Sequence, residues 1–183
     1  MSTNAAVDQV LHFWFEQTPE AQWWKVDPAF DALVCERFGP LLAQAAAGEL
    51  HGWRDSARGR LAEVIVLDQF PRNIHRGTPQ AFAHDPMALV LSQEAVRAGA
   101  LAGLPPVQRS FLLLPWMHSE SAAIHALAEV LYRDHAPPEN HQFELRHKAI
   151  IDRFGRYPHR NAILGRESTP AELEFLQQPG SGF

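Results

Sequence analysis

The chain has 183 residues, 46% of them hydrophobic, and 16 Lys and Arg stand against 21 Asp and Glu for a formal net charge of -5. That length fits one domain of ~100–200 residues, so residues 1–183 read as a single helical domain, and the acidic balance argues against a nucleic-acid partner. Cys35, the only cysteine, excludes an internal disulfide and suits a reducing compartment.

At the start, MSTNAAVDQV lacks the basic residues and apolar stretch of a signal peptide. Val7, Leu11, Trp14 and Phe15 recur at helical spacing, so His12-Phe13-Trp14-Phe15 and Trp23-Trp24 read as core rather than as a docking surface. Asp27-Pro28 starts the next helix, because the cap accepts an orphan N–H and proline has none to lose. Its stripe is Phe30, Leu33, Val34, Phe38, Leu41 and Leu42. Cys35 beside Val34 is expected to be buried and inert. A second long helix, marked by Leu61, Val64, Ile65 and Leu67, is apolar almost all round and therefore buried.

Thr78-Pro79 and Asp85-Pro86 are further starts, the latter before Met87, Leu89, Val90, Leu91 and Val96. Phe111 to Met117 forms a fourth helix, interrupted by Pro115; this longest apolar run is far short of the ~20 residues that cross a bilayer. Ser119 is read as the cap of a fifth, with Ala123, Ile124, Leu127, Val130 and Leu131. Pro137-Pro138 opens a sixth, with Phe143, Ile150, Ile151 and Phe154, and Thr169-Pro170 starts the last. Nothing alternates with period two, so the expected class is all-α: stacked antiparallel helical hairpins in a TPR-like α-α superhelix. The expected location is cytoplasmic, with no membrane partner. The oligomeric state stays open, and apolar surface at either end of the stack would allow a homodimer.

One internal echo is visible. Phe70-Pro71-Arg72-Asn73-Ile74 precedes Thr78-Pro79, and Tyr157-Pro158-His159-Arg160-Asn161-Ala162-Ile163 precedes Thr169-Pro170. Both are aromatic-Pro turns carrying Arg-Asn. Either they are two similar helix-ending turns, or they share a ligand site.

At 100° per residue, Asp68 falls between Leu61, Val64 and Ile65, with Arg72 on the same stripe. Glu120 points with Ile124, Leu127 and Leu131, and His147 with Phe143, Ile151 and Phe154. Buried charges need partners, for which Arg72, Arg109, Arg153, Arg156 and Arg160 are available. The set reads either as a salt-bridge network that fixes hairpin packing or as a functional pocket. In the pocket, Asp68, Glu120, His147 and His159 are candidate acid–base groups. Arg72, Asn73, His118, Arg153, Arg156, Arg160 and Asn161 would hold a small anionic molecule or a peptide carboxylate. His118, Glu120, His147 and His159 are also metal-ligand types. Their spacing aligns no pair on one helix face, so no metal is assigned. No phosphate-binding GxxxxGK[ST], GxGxxG or GxSxG pattern occurs, so no cofactor is expected.

LHFWF near the start, LDQFPRNIHRGTPQAF, Met117-His118-Ser119-Glu120 and RFGRYPHRNAILGRESTPAELEFL resemble the bacterial domain-of-unknown-function family nine-two-four, from Val10 to the closing Pro-Gly-Ser-Gly-Phe. The resemblance implies a TPR-like α-α superhelical fold and supplies no catalytic residues. Two functional readings follow. One is a polar Arg, His and carboxylate pocket for a small anion, with or without acid–base catalysis; the other is a noncatalytic helical-repeat scaffold that binds a protein or peptide.

Overall fold

The computed structural model describes residues 3–182, with side chains from Ala5 onward; Met1, Ser2 and Phe183, the ends of the expected domain, lie outside the described residues. Helices alone make up the regular structure of the described residues, and no strand occurs among them. α1 (Thr3–His12) widens into a π-helical turn, Phe13–Gln17, closed by the Thr18 hydroxyl on the Phe13 carbonyl at 2.8 Å. That turn sinks Phe13 and Trp14 into the core against Phe30, Phe38 and Phe70. α2 (Pro28–Ala46) starts as its sequence predicts, with the Asp27 carboxylate accepting from the amides of Ala29 and Phe30. Cys35 differs from expectation. It lies on the outer face of α2 and is exposed, because only Val34, Phe38, Leu42 and Ala45 of that helix face fully inward.

α3 (Ala57–Asp68) is the buried centre, with Leu61, Val64, Ile65 and Leu67 at 0% exposure. Ser56 caps it by accepting from the Gly59 amide at 3.0 Å. A Cβ on Gly59 would lie 1.9 Å from the Trp53 carbonyl oxygen, so this close approach requires glycine. The chain breaks at Gln69 and re-forms as α4 (Phe70–Ile74), with Pro71 in its first turn where a missing N–H costs nothing. α5 (Asp85–Arg97), α6 (Pro106–Met117), α7 (Ala122–His135), α8 (Pro138–Phe154) and α9 (Pro170–Leu176) complete the order. Gly155, at φ 69°, ends α8 in the left-handed region, and Thr169 with Glu172 forms a capping box on α9. α3 packs on α1, α2, α5 and α6, while α6, α7 and α8 pack on one another. The two-residue link between α7 and α8 makes them an antiparallel hairpin.

Several sequence expectations need correction. α5 begins at Asp85 itself, whose carboxylate makes no cap bond and is spent elsewhere. Thr78 donates to the His75 carbonyl, and only a 3-10 turn, Pro79–Phe82, follows it. Pro115 sits inside α6 without ending it. Ser119 is not the cap of α7, which starts at Ala122 after Ser121, so Glu120 precedes the helix rather than riding on its face. The inward face of α7 is His125, Ala128 and Tyr132, whereas Leu127 is 55% exposed and Val130 43%. On α8 the inward residues are Glu144, His147, Ile150 and Ile151, and Phe143 is 49% exposed. At this end of the stack hydrogen-bonded polar groups occupy the interior, so an apolar stripe does not report the buried face.

Candidate functional site

Asp68 closes α3 with a wholly buried carboxylate. Its Oδ1 lies 2.8 Å from His118 Nδ1 and 3.4 Å from Arg72 Nη1, and its Oδ2 accepts from the Gln69 amide at 2.6 Å. The break at Gln69 makes this possible: it turns Arg72 back so that its guanidinium also donates to the Asp68 carbonyl. His118 arrives from the other side as the residue that ends α6. Burial alone would raise the Asp68 pKa, but the charge of Arg72 and the His118 bond outweigh it and hold the carboxyl below the ordinary range. His118 is held below the usual histidine value, first by burial and then by Arg72, against the pull of Asp68. The imidazole is therefore neutral at neutral pH. An ionised Asp68 at Nδ1 fixes the Nδ1–H tautomer and leaves Nε2 as an acceptor.

Arg72 continues the chain to Asp85, donating from Nη1 and Nη2 to both carboxylate oxygens at 2.9 Å. Asp85 Oδ2 in turn lies 3.4 Å from Arg160 Nη1. The arginines of the two echoed turns thus meet on one carboxylate, and both pack over Phe82, with Arg160 also over Tyr157 at 4.7 Å. Their pairing is unequal. Arg72 has burial against it, yet Asp68 and Asp85 raise its pKa above the ordinary value. Arg160 is only 7% exposed, has one long ion pair, and keeps its buried Nε without an acceptor. Burial, then the charge of Arg72, lowers its pKa.

The remaining predicted residues fall into separate clusters. Glu120 is taken by Arg166, at 2.5 and 2.8 Å, and by the Tyr157 amide at 2.7 Å. Burial would raise its pKa, and those donors bring it down. Asn161 accepts from Arg166 and donates to Ser168, so it braces the second turn. Asn73 donates to Asp31 on α2, alongside Arg76. Arg156 binds Glu172 through two bonds and the Glu167 carbonyl through a third. Arg153 is exposed over Phe154, and Arg109 donates to the Leu104 carbonyl. A hollow of about 500 Å³ is lined by Arg153, Phe154, Arg156, Thr169, Ala171 and Glu172. His147 bonds the Phe143 carbonyl at 2.7 Å and meets the Tyr157 ring edge-on. Burial first depresses it to about 3; the same cause, with Arg160 next, takes His159 to about 4.

Four partners were not singled out from sequence. Asp85 looked like a cap, Arg166 followed the repeated turn, and His125 with Glu144 sat on faces the apolar stripes assigned to solvent. His125 Nδ1 lies 2.7 Å from Glu144 Oε1, both side chains are fully buried, and His125 Nε2 faces the Ser119 carbonyl at 2.8 Å. Burial raises the Glu144 pKa, against the lowering effect of the His125 bond. Among the described residues no three His, Cys, Asp or Glu side chains gather as a metal would require.

Fold and site together define an all-helical protein in which the arginines of two turns converge on Asp85, and one of them, Arg72, also holds the buried Asp68–His118 pair. The chain belongs to DUF924, a family of bacterial proteins of unknown function, whose profile matches residues 10–180. It is similar, at 38% identity and a TM-score of 0.91, to the solved structure of a protein of unknown function from Agrobacterium tumefaciens, over 96% of this chain and 99% of that one. No curated protein matches the sequence. No described helix is long and apolar enough to cross a membrane.

Proposed function

We propose that this protein binds a small oxyanion, a carboxylate or phosphate, where Arg160 meets Asp85 beside Arg72. Arg160 carries the reading: a guanidinium has five N–H donors, and this one is buried with one ion pair at 3.4 Å and an unmet Nε. A buried charge left so poorly compensated is costly, and a bound anion would supply the missing acceptors. Phe82 and Tyr157 hold the guanidinium between their rings, which preorganises it. Asp68, ionised and buried, positions His118 and does not itself carry protons; His118 is the acid–base group of this site. Glu120, Asn161, Arg156 and Asn73 shape the turns instead of touching the ligand.

Titration calorimetry with inorganic phosphate tests the reading. Wild-type protein should bind, Arg160→Gln should weaken binding at least tenfold, and Arg153→Gln should change it little. Equal affinity in Arg160→Gln, or binding of neither phosphate nor a small carboxylate by wild type, would sink the proposal.

The wider reading is a single domain stacked as a TPR-like superhelix in the cytoplasm. Its support is the run from α5 to α8, in which each helix packs on the next, and the α7–α8 hairpin within it. A partner-binding scaffold is the second reading, favoured by the outward Leu127, Val130 and Phe143 of the α7–α8 hairpin. It expects Leu127→Lys with Phe143→Lys to abolish any self-association seen in sedimentation; a wild-type monomer would remove the homodimer form of that reading.

A further inference from the structure

The anion proposed above faces donors on one side, but the chain of side chains that holds them ends in an acceptor. His118, Asp68, Arg72, Asp85 and Arg160 form one continuous series of contacts. At one end Arg160 offers N–H groups and nothing else. At the other, Asp68 Oδ1 holds His118 Nδ1 at 2.8 Å, and that bond commits the Nδ1 proton to the carboxylate. The opposite nitrogen, Nε2, is then a lone-pair acceptor. The His118 side chain keeps 14% of its surface exposed, whereas Asp68, at 1%, is closed off. Asp68 cannot turn away, because Gln69 and Arg72 hold it as well.

Resting on the anion reading, we propose that the ligand class is an oxyanion that carries its own proton donor, a phosphoryl group with a P–OH or a hydroxy acid, with His118 Nε2 accepting from that group. A fully deprotonated oxyanion would satisfy Arg160 but place a lone pair against the His118 lone pair. That conflict gives discrimination, since a site built to accept a hydrogen bond rejects the analogue that lacks the donor. Arg72 and Asp85 set the spacing between the two ends through their paired bonds. The same geometry makes His118 the group that would take the ligand's proton, with Asp68 as its positioning residue.

The test compares pairs of equal charge and nearly equal shape at pH 8, where phosphate is mainly the hydrogen-bearing dianion and sulfate has no proton. Wild-type protein should bind phosphate at least tenfold more tightly than sulfate. Lactate against propionate forms the second pair, and the pair that shows the larger ratio identifies phosphoryl or hydroxy-acid chemistry. His118→Phe should bring each ratio close to one. Because that variant strips a partner from buried Asp68 and can unfold, the wild-type nitrogen spectrum supplies an independent readout. The His118 Nε2 resonance should move with phosphate and stay with sulfate. Equal binding of both members of each pair overturns this inference and leaves the anion site standing. Absence of binding by all four probes overturns the anion site itself, and this inference with it.

Discussion

Arg160, in the second echoed turn, and Arg166, just after it, meet opposite fates. Arg166 spends its guanidinium on both oxygens of Glu120, on Asn161 and on the Tyr157 carbonyl. Arg160, more deeply buried, has Asp85 at 3.4 Å and two aromatic faces. The contrast separates a residue that stabilises the turn from one kept at a cost. A protein under selection for stability alone would pair or delete the second arginine, and it is this shortage at Arg160 that the anion proposal accounts for.

The largest expected effect is at the buried carboxylate that holds Arg72 and His118. Asp68→Ala should destabilise the fold by about 3 kcal/mol, because removing one partner strands a buried guanidinium, although Arg72 keeps Asp85 and so loses less than a sole pair would. Urea unfolding reads this directly, and a loss below about 1 kcal/mol would mean that Arg72 and His118 do not depend on Asp68. Next is Arg166→Met, which should cost about 2 kcal/mol by stripping Glu120 of its charged partner while Glu120 keeps the Tyr157 amide. Both groups are about a quarter exposed, and that screening keeps the figure below the value for a fully buried pair.

The two regions were not equally legible in the sequence. The echoed turns marked Arg72 and Arg160, which the fold brings to one carboxylate, and proline with a polar cap marked Asp27 and Thr169 as helix starts, because those signals are local. The phase of α3 was safe, since a helix apolar all round buries Asp68 whichever way it faces. The phases of α7 and α8 were not. On α7 the apolar Leu127 and Val130 look outward while His125 looks inward, and on α8 Phe143 is turned out while Glu144 joins His147, Ile150 and Ile151 inside; only partners distant in sequence make that affordable. Asp85 was misplaced for a similar reason: Asp before Pro signals a cap, and nothing local reveals two arginines competing for the carboxylate. Glu120 was expected on a helix that in fact starts after it.

A pH series sharpens the contrast from the histidine side. His147, 6% exposed, is depressed from 6.5 to about 3 by burial. The unfolded chain therefore binds a proton between those values that the folded chain refuses, so stability must fall as pH drops below about 6.5. The slope approaches ~1.4 kcal/mol per pH unit, or about 2 kcal/mol lost between pH 6.5 and 5 from this residue alone. His147→Gln should flatten the profile over that window. An unchanged profile would place the acid sensitivity in His159, which is depressed to about 4.

The smallest effect is the most telling. Arg160→Met keeps an unbranched side chain between Phe82 and Tyr157 and removes a buried charge whose Nε has no acceptor. The lost cation–π contacts cost about 0.5–1 kcal/mol each, and the relieved desolvation offsets them. Thermal unfolding should therefore place this variant within about 1 kcal/mol of wild type, on either side, while phosphate binding falls at least tenfold. A loss as large as that of Arg166→Met would show that the two arginines do the same structural work, and the shortage at Arg160 would then carry no functional meaning.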